Sequence, residues 1–379
     1  MTIRATGSRA AARPVRGAGV EAERRFAVVM AGGSGTRFWP WSREDCPKQL
    51  LALTSSRSML AETVARLEGV VPAANILVVT GRRHRRQVLA ELPGLAPDAV
   101  LCEPVGRNTA ACVGWATLEV LRRRRDAVTA VLSADHLLDG GRAFHRDLVR
   151  AFGVADRFGR LVTFGIRPTS AATGYGYILK GAPLDGASQA CEVSAFVEKP
   201  NVATAKRYVA SGKYLWNSGM FVWRADVAWQ ELSTHLPELA AGLVAMDRTR
   251  RAGRVPASVL DRAYPRLPSI SIDYGVLERS RLVATLPASF SWSDIGSWDA
   301  VATLWPLDRD GNATRDPLLA VDSARNVVAT RGKPVVLLGV EDLVVVDAGD
   351  ALLVCSRERC QDIRTVVARL EKAGLGELR

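Results

Sequence analysis

No apolar run in the 379 residues approaches the ~18 needed to cross a membrane. The first residues also lack the apolar centre of a secretory signal. A cytoplasmic protein with no membrane partner is therefore expected. The six cysteines are scattered and form no C-x-x-C pair, which argues against a disulfide framework or a zinc ribbon. There is no G-x-S-x-G and no H-E-x-x-H, and the four histidines show no ligand spacing. Chemistry through a serine nucleophile or a histidine-bound zinc is thus not indicated. Lysine is scarce as well: only seven of the 51 basic residues are lysines. Two of those seven, Lys48 and Lys199, fall inside the densest motifs, which suggests that a compact ammonium rather than a planar guanidinium is needed there.

Charge of one sign is in excess. The formal net charge is +12, helped by blocks at residues 82–86 and 122–125. No basic run is interleaved with aromatics and no nucleic-acid module is recognisable, so nucleic acid is not an expected partner. Solvated helix faces account for the blocks. A basic field also favours an anionic small-molecule substrate.

Short β-branched runs at residues 26–31, 76–80, 128–132 and 161–166 alternate with helical patterns at 59–70 and 110–125. That alternation predicts an α/β fold with a mainly parallel mixed sheet and helices on both faces. Ligands in such folds sit beyond the carboxyl ends of the strands. Further strands are expected at 174–180, 191–199 and 219–225. From about residue 310 the pattern changes to short Val/Leu strands split by turns, with a helix at about 360–373. The expected division is a basic disordered tail over 1–24, a catalytic domain over 25–309, and a small β-helix-like part over 310–379.

The stretch GGSGTRFWPWSREDCPKQ (32–49) follows the first strand. It is not a Walker A loop, because no Lys-Ser/Thr pair follows its last glycine. It is not a dinucleotide fingerprint, because Phe38 stands where the closing glycine belongs. Its physics still suits phosphate. Gly32, Gly33 and Gly35 let backbone N–H groups approach a ligand, and Arg37 and Lys48 add charge. Asp135 ends the run AVLSAD, and Asp294 lies in FSWSDIGSW. Either carboxylate suits Mg²⁺, although an aspartate at a strand end also serves as a helix cap. Asn108 in EPVGRNTAA, Gly176 in TGYGYI, Glu198 and Lys199 in VEKP, and Asn217 in WNSGMF complete the polar candidates. Phosphate-binding features without a protein nucleophile point to direct phosphoryl or nucleotidyl transfer.

These motifs, together with LSADH, SIDYGVLE and GVEDLVVVDAGDALLVC, stand in the order typical of the mannose-1-phosphate guanylyltransferases, which the chain resembles from about residue 26 onward. The resemblance implies a Rossmann-like nucleotidyltransferase domain and a left-handed β-helix-like C-terminal part. It implies that GTP and mannose 1-phosphate give GDP-mannose and diphosphate. Gly32, Gly33, Gly35 and Thr36 would cradle the nucleotide, and Arg37 and Lys48 would face its triphosphate. Asn108 would help select guanine. Asp135 and Asp294 would hold Mg²⁺. Gly176, Glu198 and Asn217 would bind mannose, and Lys199 its phosphate. Ser133 and Ala111 stand where proline is usual, and no Pro-Glu precedes Thr173; none of these departures removes an implied ligand. A homodimer is a further expectation. The isomerase domain that longer members carry after the β part is not expected. The alternatives are a related enzyme for another sugar or base, and a non-catalytic regulator on the same fold.

Overall fold

The first strand, β1 (Arg25–Ala31), alternates between two cores, as the period of two in a strand requires. Phe26 and Val28 pack with the helix Asn108–Arg123. Ala27, Val29 and Ala31 pack with the helix Gly141–Phe158 on the other face. This computed structural model describes residues 20–379 apart from Ser34 and Ala187.

Parallel neighbours of β1 are β2 (Ile76–Gly81) and β4 (Val128–Ser133), and β3 (Val100–Glu103) adds outside β2. A two-stranded ribbon pairs β5 (Leu137–Asp139) with β11 (Ser291–Ser293). The main sheet continues through β6 (Leu161–Ile166), β7 (Tyr177–Pro183), β8 (Cys191–Val197), β9 (Tyr214–Arg224) and β10 (Val283–Pro287). Its order is β3-β2-β1-β4-β9-β6-β10-β8-β7. The β3-to-β4 half is all parallel. The other half is mixed, because β9 runs antiparallel to β4, β6 and β7. The chain leaves β1 toward β2 and returns on its other side at β4. This reversal opens a crevice beyond the strand ends, the usual place for a ligand in such sheets.

After β11 the chain builds stacked rungs. β12 (Ala313–Thr314), β14 (Val327–Ala329) and β16 (Leu343–Asp347) pair in parallel, and β17 (Leu352–Ser356) closes them antiparallel. β13 (Leu318–Val321) and β15 (Val335–Leu338) pair in parallel in a second sheet. Asn312 and Asn326 are fully buried between rungs. Asn326 Nδ2 donates to Asn312 Oδ1 at 2.8 Å, and Asn326 Oδ1 accepts from the Leu343 amide at 2.9 Å. Each buried amide is thereby satisfied within the stack. A third core cluster joins these rungs to the catalytic half: Phe38, Trp39, Trp298 and Trp305 pack with Val327, Val344, Cys360 and Ile363.

The expected tail over residues 1–24 needs one correction at its inner end. Val20 is buried, and Arg24 pairs with Asp156 at 2.6 Å and Asp126 at 3.0 Å. Ile3, Val15 and Val20, spread among Arg, Ala and Gly, follow no strand or helix period, so the sequence pattern hides this anchor. Residues 1–19 lie outside the described residues. The basic blocks are largely ion-paired on their own surface: Arg82 with Asp261, Arg83 with Glu44, Arg122 and Arg123 with Glu119, Arg124 with Asp126. No helix among the described residues is long and apolar enough to cross a membrane.

Candidate active site

The glycine loop leaves the end of β1 and folds back on Lys48. Gly35 sits in the left-handed region at φ 59°. A β-carbon there would come within 2.3 Å of Lys48 Cβ, so only glycine fits. Gln49 Nε2 donates to the Ala31 carbonyl at 2.8 Å and the Gly33 carbonyl at 3.3 Å, tying down the loop's start. Thr36 and Arg37 lie in the short 3-10 turn Thr36–Phe38. Lys48 is 5% exposed, and its ammonium is 5.6 Å from the centroid of the Phe38 ring. It donates to Asp135 Oδ2 at 3.0 Å and to the main-chain carbonyl of Asp294 at 2.5 Å.

The β5/β11 ribbon explains how two aspartates so distant in sequence meet at one lysine. Ser293 pairs with Leu137, so the residues just before β5 and just after β11 emerge side by side. Burial pushes the Asp135 carboxyl up, but the Lys48 ammonium and neighbouring His136 pull it further down, leaving it below its ordinary value. It is a carboxylate at neutral pH. Asp294 Oδ1 accepts from the Tyr175 hydroxyl at 2.7 Å. Tyr175 is wedged edge-on between Trp216 and Trp292, which fixes that hydroxyl. Burial, and then the negative charge of Asp294, raise the Tyr175 phenol, so it remains a donor.

Beside this cluster lies a cavity of about 200 Å³ lined by Gly176, Glu198, Lys199, Asn217, Asp273 and Asp294, among others. A β-carbon on Gly176 would stand 2.4 Å from Glu198 Oε2, so this glycine lets the carboxyl reach the cavity. Glu198 Oε1 is 3.3 Å from Lys199 Nζ, and its other oxygen is buried without a partner. Burial, and then repulsion from Asp273, raise the Glu198 carboxyl; burial also raises that of Asp273. The Asn217 amide is mostly committed. Its oxygen accepts from Thr163 at 2.9 Å and from the Gly219 amide at 3.2 Å, and its nitrogen donates to Asp273 at 2.8 Å. One N–H remains for a ligand. An unpartnered carboxyl oxygen beside a free amide hydrogen and an exposed ammonium suits a hydroxylated, anionic molecule.

The structure therefore gathers Arg37, Lys48, Asp135 and Asp294 at one strand-end edge, and Gly176, Glu198, Lys199 and Asn217 in the adjoining cavity. Gly32 and Gly33 are exposed on the loop. Asn108 is exposed, at φ 61°, at the first position of the helix Asn108–Arg123, and its side-chain oxygen accepts from the Thr109 amide at 2.8 Å. Four residues with no role assigned from sequence belong to the site. Asp273 and Tyr175 lie inside SIDYGVLE and TGYGYI and tie down Asn217 and Asp294. His136 lines the cavity and accepts at Nδ1 from the Trp292 indole at 3.2 Å. Glu103 opens EPVGRNTAA; it is buried beneath Gly32 and accepts from Tyr264 at 2.6 Å. Their membership in these motifs is the signal that could have found them.

A glycine loop, a buried lysine and two carboxylates at the switch point of an α/β sheet define a nucleotide-handling enzyme class. Residues 26–310 match the nucleotidyl transferase family, and residues 316–370 match the MannoseP isomerase/GMP-like beta-helix domain. The chain belongs to the nucleotidyl transferase family and is an enzyme of that kind. It is 40% identical over 355 residues to the xanthan biosynthesis protein XanB of Xanthomonas campestris, covering 92% of this chain and 74% of that protein. It is 39% identical over 359 residues to the mannose-1-phosphate guanylyltransferase ManC of Salmonella typhimurium, covering 93% and 74%. A crystal structure named as a mannose-1-phosphate geranyltransferase from Thermus thermophilus superposes with a TM-score of 0.81 at 33% identity, covering 92% of this chain and 99% of that one.

Proposed function

We propose that this chain transfers GMP from GTP to mannose 1-phosphate, releasing diphosphate and forming GDP-mannose. The observation that carries this reading is Lys48 joining Asp135 and Asp294 between the glycine loop and the polar cavity. Relatives named for this reaction support the choice of sugar and base.

In this reading the sugar phosphate lies in the cavity, with Lys199 at its phosphate and Glu198 and Asn217 at its hydroxyls. The GTP triphosphate lies along residues 32–37. A phosphate oxygen of the sugar attacks the α-phosphorus, the new P–O bond forms, and the bond from the α-phosphorus to the diphosphate breaks, its electrons leaving on the bridging oxygen that departs with the diphosphate. Lys48 and Arg37 balance the charge on the departing diphosphate. Fixed cations aimed at developing charge are worth far more in a sheltered site than in water. Holding the reactants in line supplies the rest.

Mg²⁺ fits the oxygen donors present. No cluster of three or more His, Cys, Asp or Glu able to hold a metal occurs among the described residues. Two carboxylates are a suitable set for Mg²⁺, which takes its other oxygens from phosphate and water. Asp135 and Asp294 would hold the ion, which supplies charge neutralisation across the phosphates.

The test is diphosphate release with each nucleoside triphosphate, with mannose 1-phosphate or glucose 1-phosphate, and with Mg²⁺ or EDTA. Release only with GTP, mannose 1-phosphate and Mg²⁺ is expected. Release with another pair would keep the chemistry and replace the substrate. Full activity in EDTA would remove the metal role of the two aspartates.

A further inference from the structure

We propose that Gln361, in the C-terminal part, is a positioning residue for Arg37 on the nucleotide loop. This rests on the reading of Arg37 as a phosphate-facing cation. Arg37 Nη1 donates to Gln361 Oε1 at 2.8 Å, across almost the whole length of the chain. Among the described residues no carboxylate forms an ion pair with Arg37. Its guanidinium is therefore aimed by a neutral acceptor, which leaves its full charge for an anion. A carboxylate at the same place would aim it equally well but neutralise it.

Gln361 is exposed, yet it is not on a loose segment. It lies in the 3-10 segment Arg357–Asp362, with Cys360 and Ile363 buried on either side. Arg357 pairs with Asp299 at 2.7 Å, anchoring the segment to the short helix Trp298–Val301, which follows the strand-end loop that carries Asp294. The loop that carries Asp294 approaches Arg37 directly: a β-carbon on Gly296 would stand 3.3 Å from Asp294 Oδ2 and 3.4 Å from Arg37 Nη1. The rest of the nucleotide loop is held from the same side. Trp39 donates to the Leu378 carbonyl at 2.7 Å and Trp41 to the Asp347 carbonyl at 3.0 Å. Arg43 pairs with Asp350 at 2.8 Å. The C-terminal part thus sets the loop's backbone through these contacts and its reacting cation through Gln361.

The experiment compares Gln361→Ala and Gln361→Glu in the full chain. Calorimetric titration with inorganic diphosphate reads the loop's charge without involving base or sugar, so it stands apart from the GTP and mannose assignment. Gln361→Glu should weaken diphosphate binding about five- to tenfold, the upper end of the net worth of one hydrogen bond. Gln361→Ala should weaken it less, about two- to threefold. With substrates, KM for the nucleotide should rise while KM for the sugar phosphate and the melting temperature stay at wild-type values. Unchanged diphosphate affinity in both variants would overturn the proposal. So would Ala being worse than Glu with a lowered melting temperature, which is the pattern of a purely structural contact.

Discussion

Lys48 tests at the scale of one residue whether the scarce lysines are chosen for shape. Its ammonium meets two oxygens in a site that is 5% exposed, with Gly35 pressed against its stem. An arginine is longer and needs a planar fork, and it has no room to pivot here. Lys48→Arg keeps the charge but should lower kcat by about 10²-fold or more, the usual scale for losing one aimed group in a reacting site. Turnover assays check this, and wild-type kcat would reduce Lys48 to an interchangeable cation. Glu103 offers a second test, through pH. Burial lifts its carboxyl above the ordinary 4.5, and the Tyr264 hydroxyl offsets only part of that. A raised folded-state value means that protonation favours the folded state. The cost of the charge is therefore absent in acid and grows as pH rises through the raised value. Glu103→Gln keeps an acceptor for Tyr264 without the charge. Its melting temperature should exceed that of wild type at neutral pH and converge with it near pH ~4. A less stable variant at neutral pH would show that the charge itself is used.

Among the elements, the glycine loop after β1 has a conformation that its sequence tightly specifies. Gly35→Ala would force a β-carbon into φ 59° and against Lys48. The strain costs about 1–2 kcal/mol at such a position, and the clash moves the lysine. The variant should stay folded by circular dichroism yet lose most of its turnover; an active variant would mean the loop readily takes another shape. Much of this was legible in sequence. The run at 161–166 is the strand β6 as expected, and the helix expected at 110–125 is Asn108–Arg123. The strand expected at 174–180 is instead Tyr177–Pro183; Gly174 and Gly176 line the cavity just before it, and the Gly176 carbonyl accepts from the Asn217 amide at 2.8 Å. What was not legible rests on long-range pairing. The three-residue strands of the β5/β11 ribbon are too short to show a period, yet they bring Asp135 and Asp294 together. Asp273 sits in a π-helical turn, Asp273–Leu277, whose spacing belongs to neither common pattern. Gln361 is an exposed polar residue whose partner lies at the other end of the chain, so local sequence carries no trace of it.

For the whole molecule, side chains before and after residue 310 share one buried core. Phe38, Trp39, Trp298 and Trp305 belong to the catalytic half, and all are buried in the cluster that includes Val327, Val344, Cys360 and Ile363. Burying one large apolar side chain is worth about 1.5–3 kcal/mol. Uncovering four together reaches the scale of a domain's whole net stability, about 5–15 kcal/mol. A chain ending at residue 310 would keep every strand of the main sheet and every proposed substrate contact. It should nonetheless be insoluble, or soluble without a cooperative thermal transition, and inactive. The full chain should melt in a single transition, because the shared core couples the two parts. Calorimetry and solubility of both proteins check this. Supplying residues 311–379 as a separate polypeptide during refolding should restore part of the activity if the cover is what is missing. A truncated chain that melts cooperatively and turns over at the full rate would show that the β part only rests on the enzyme, and that the nucleotide loop holds its shape unaided.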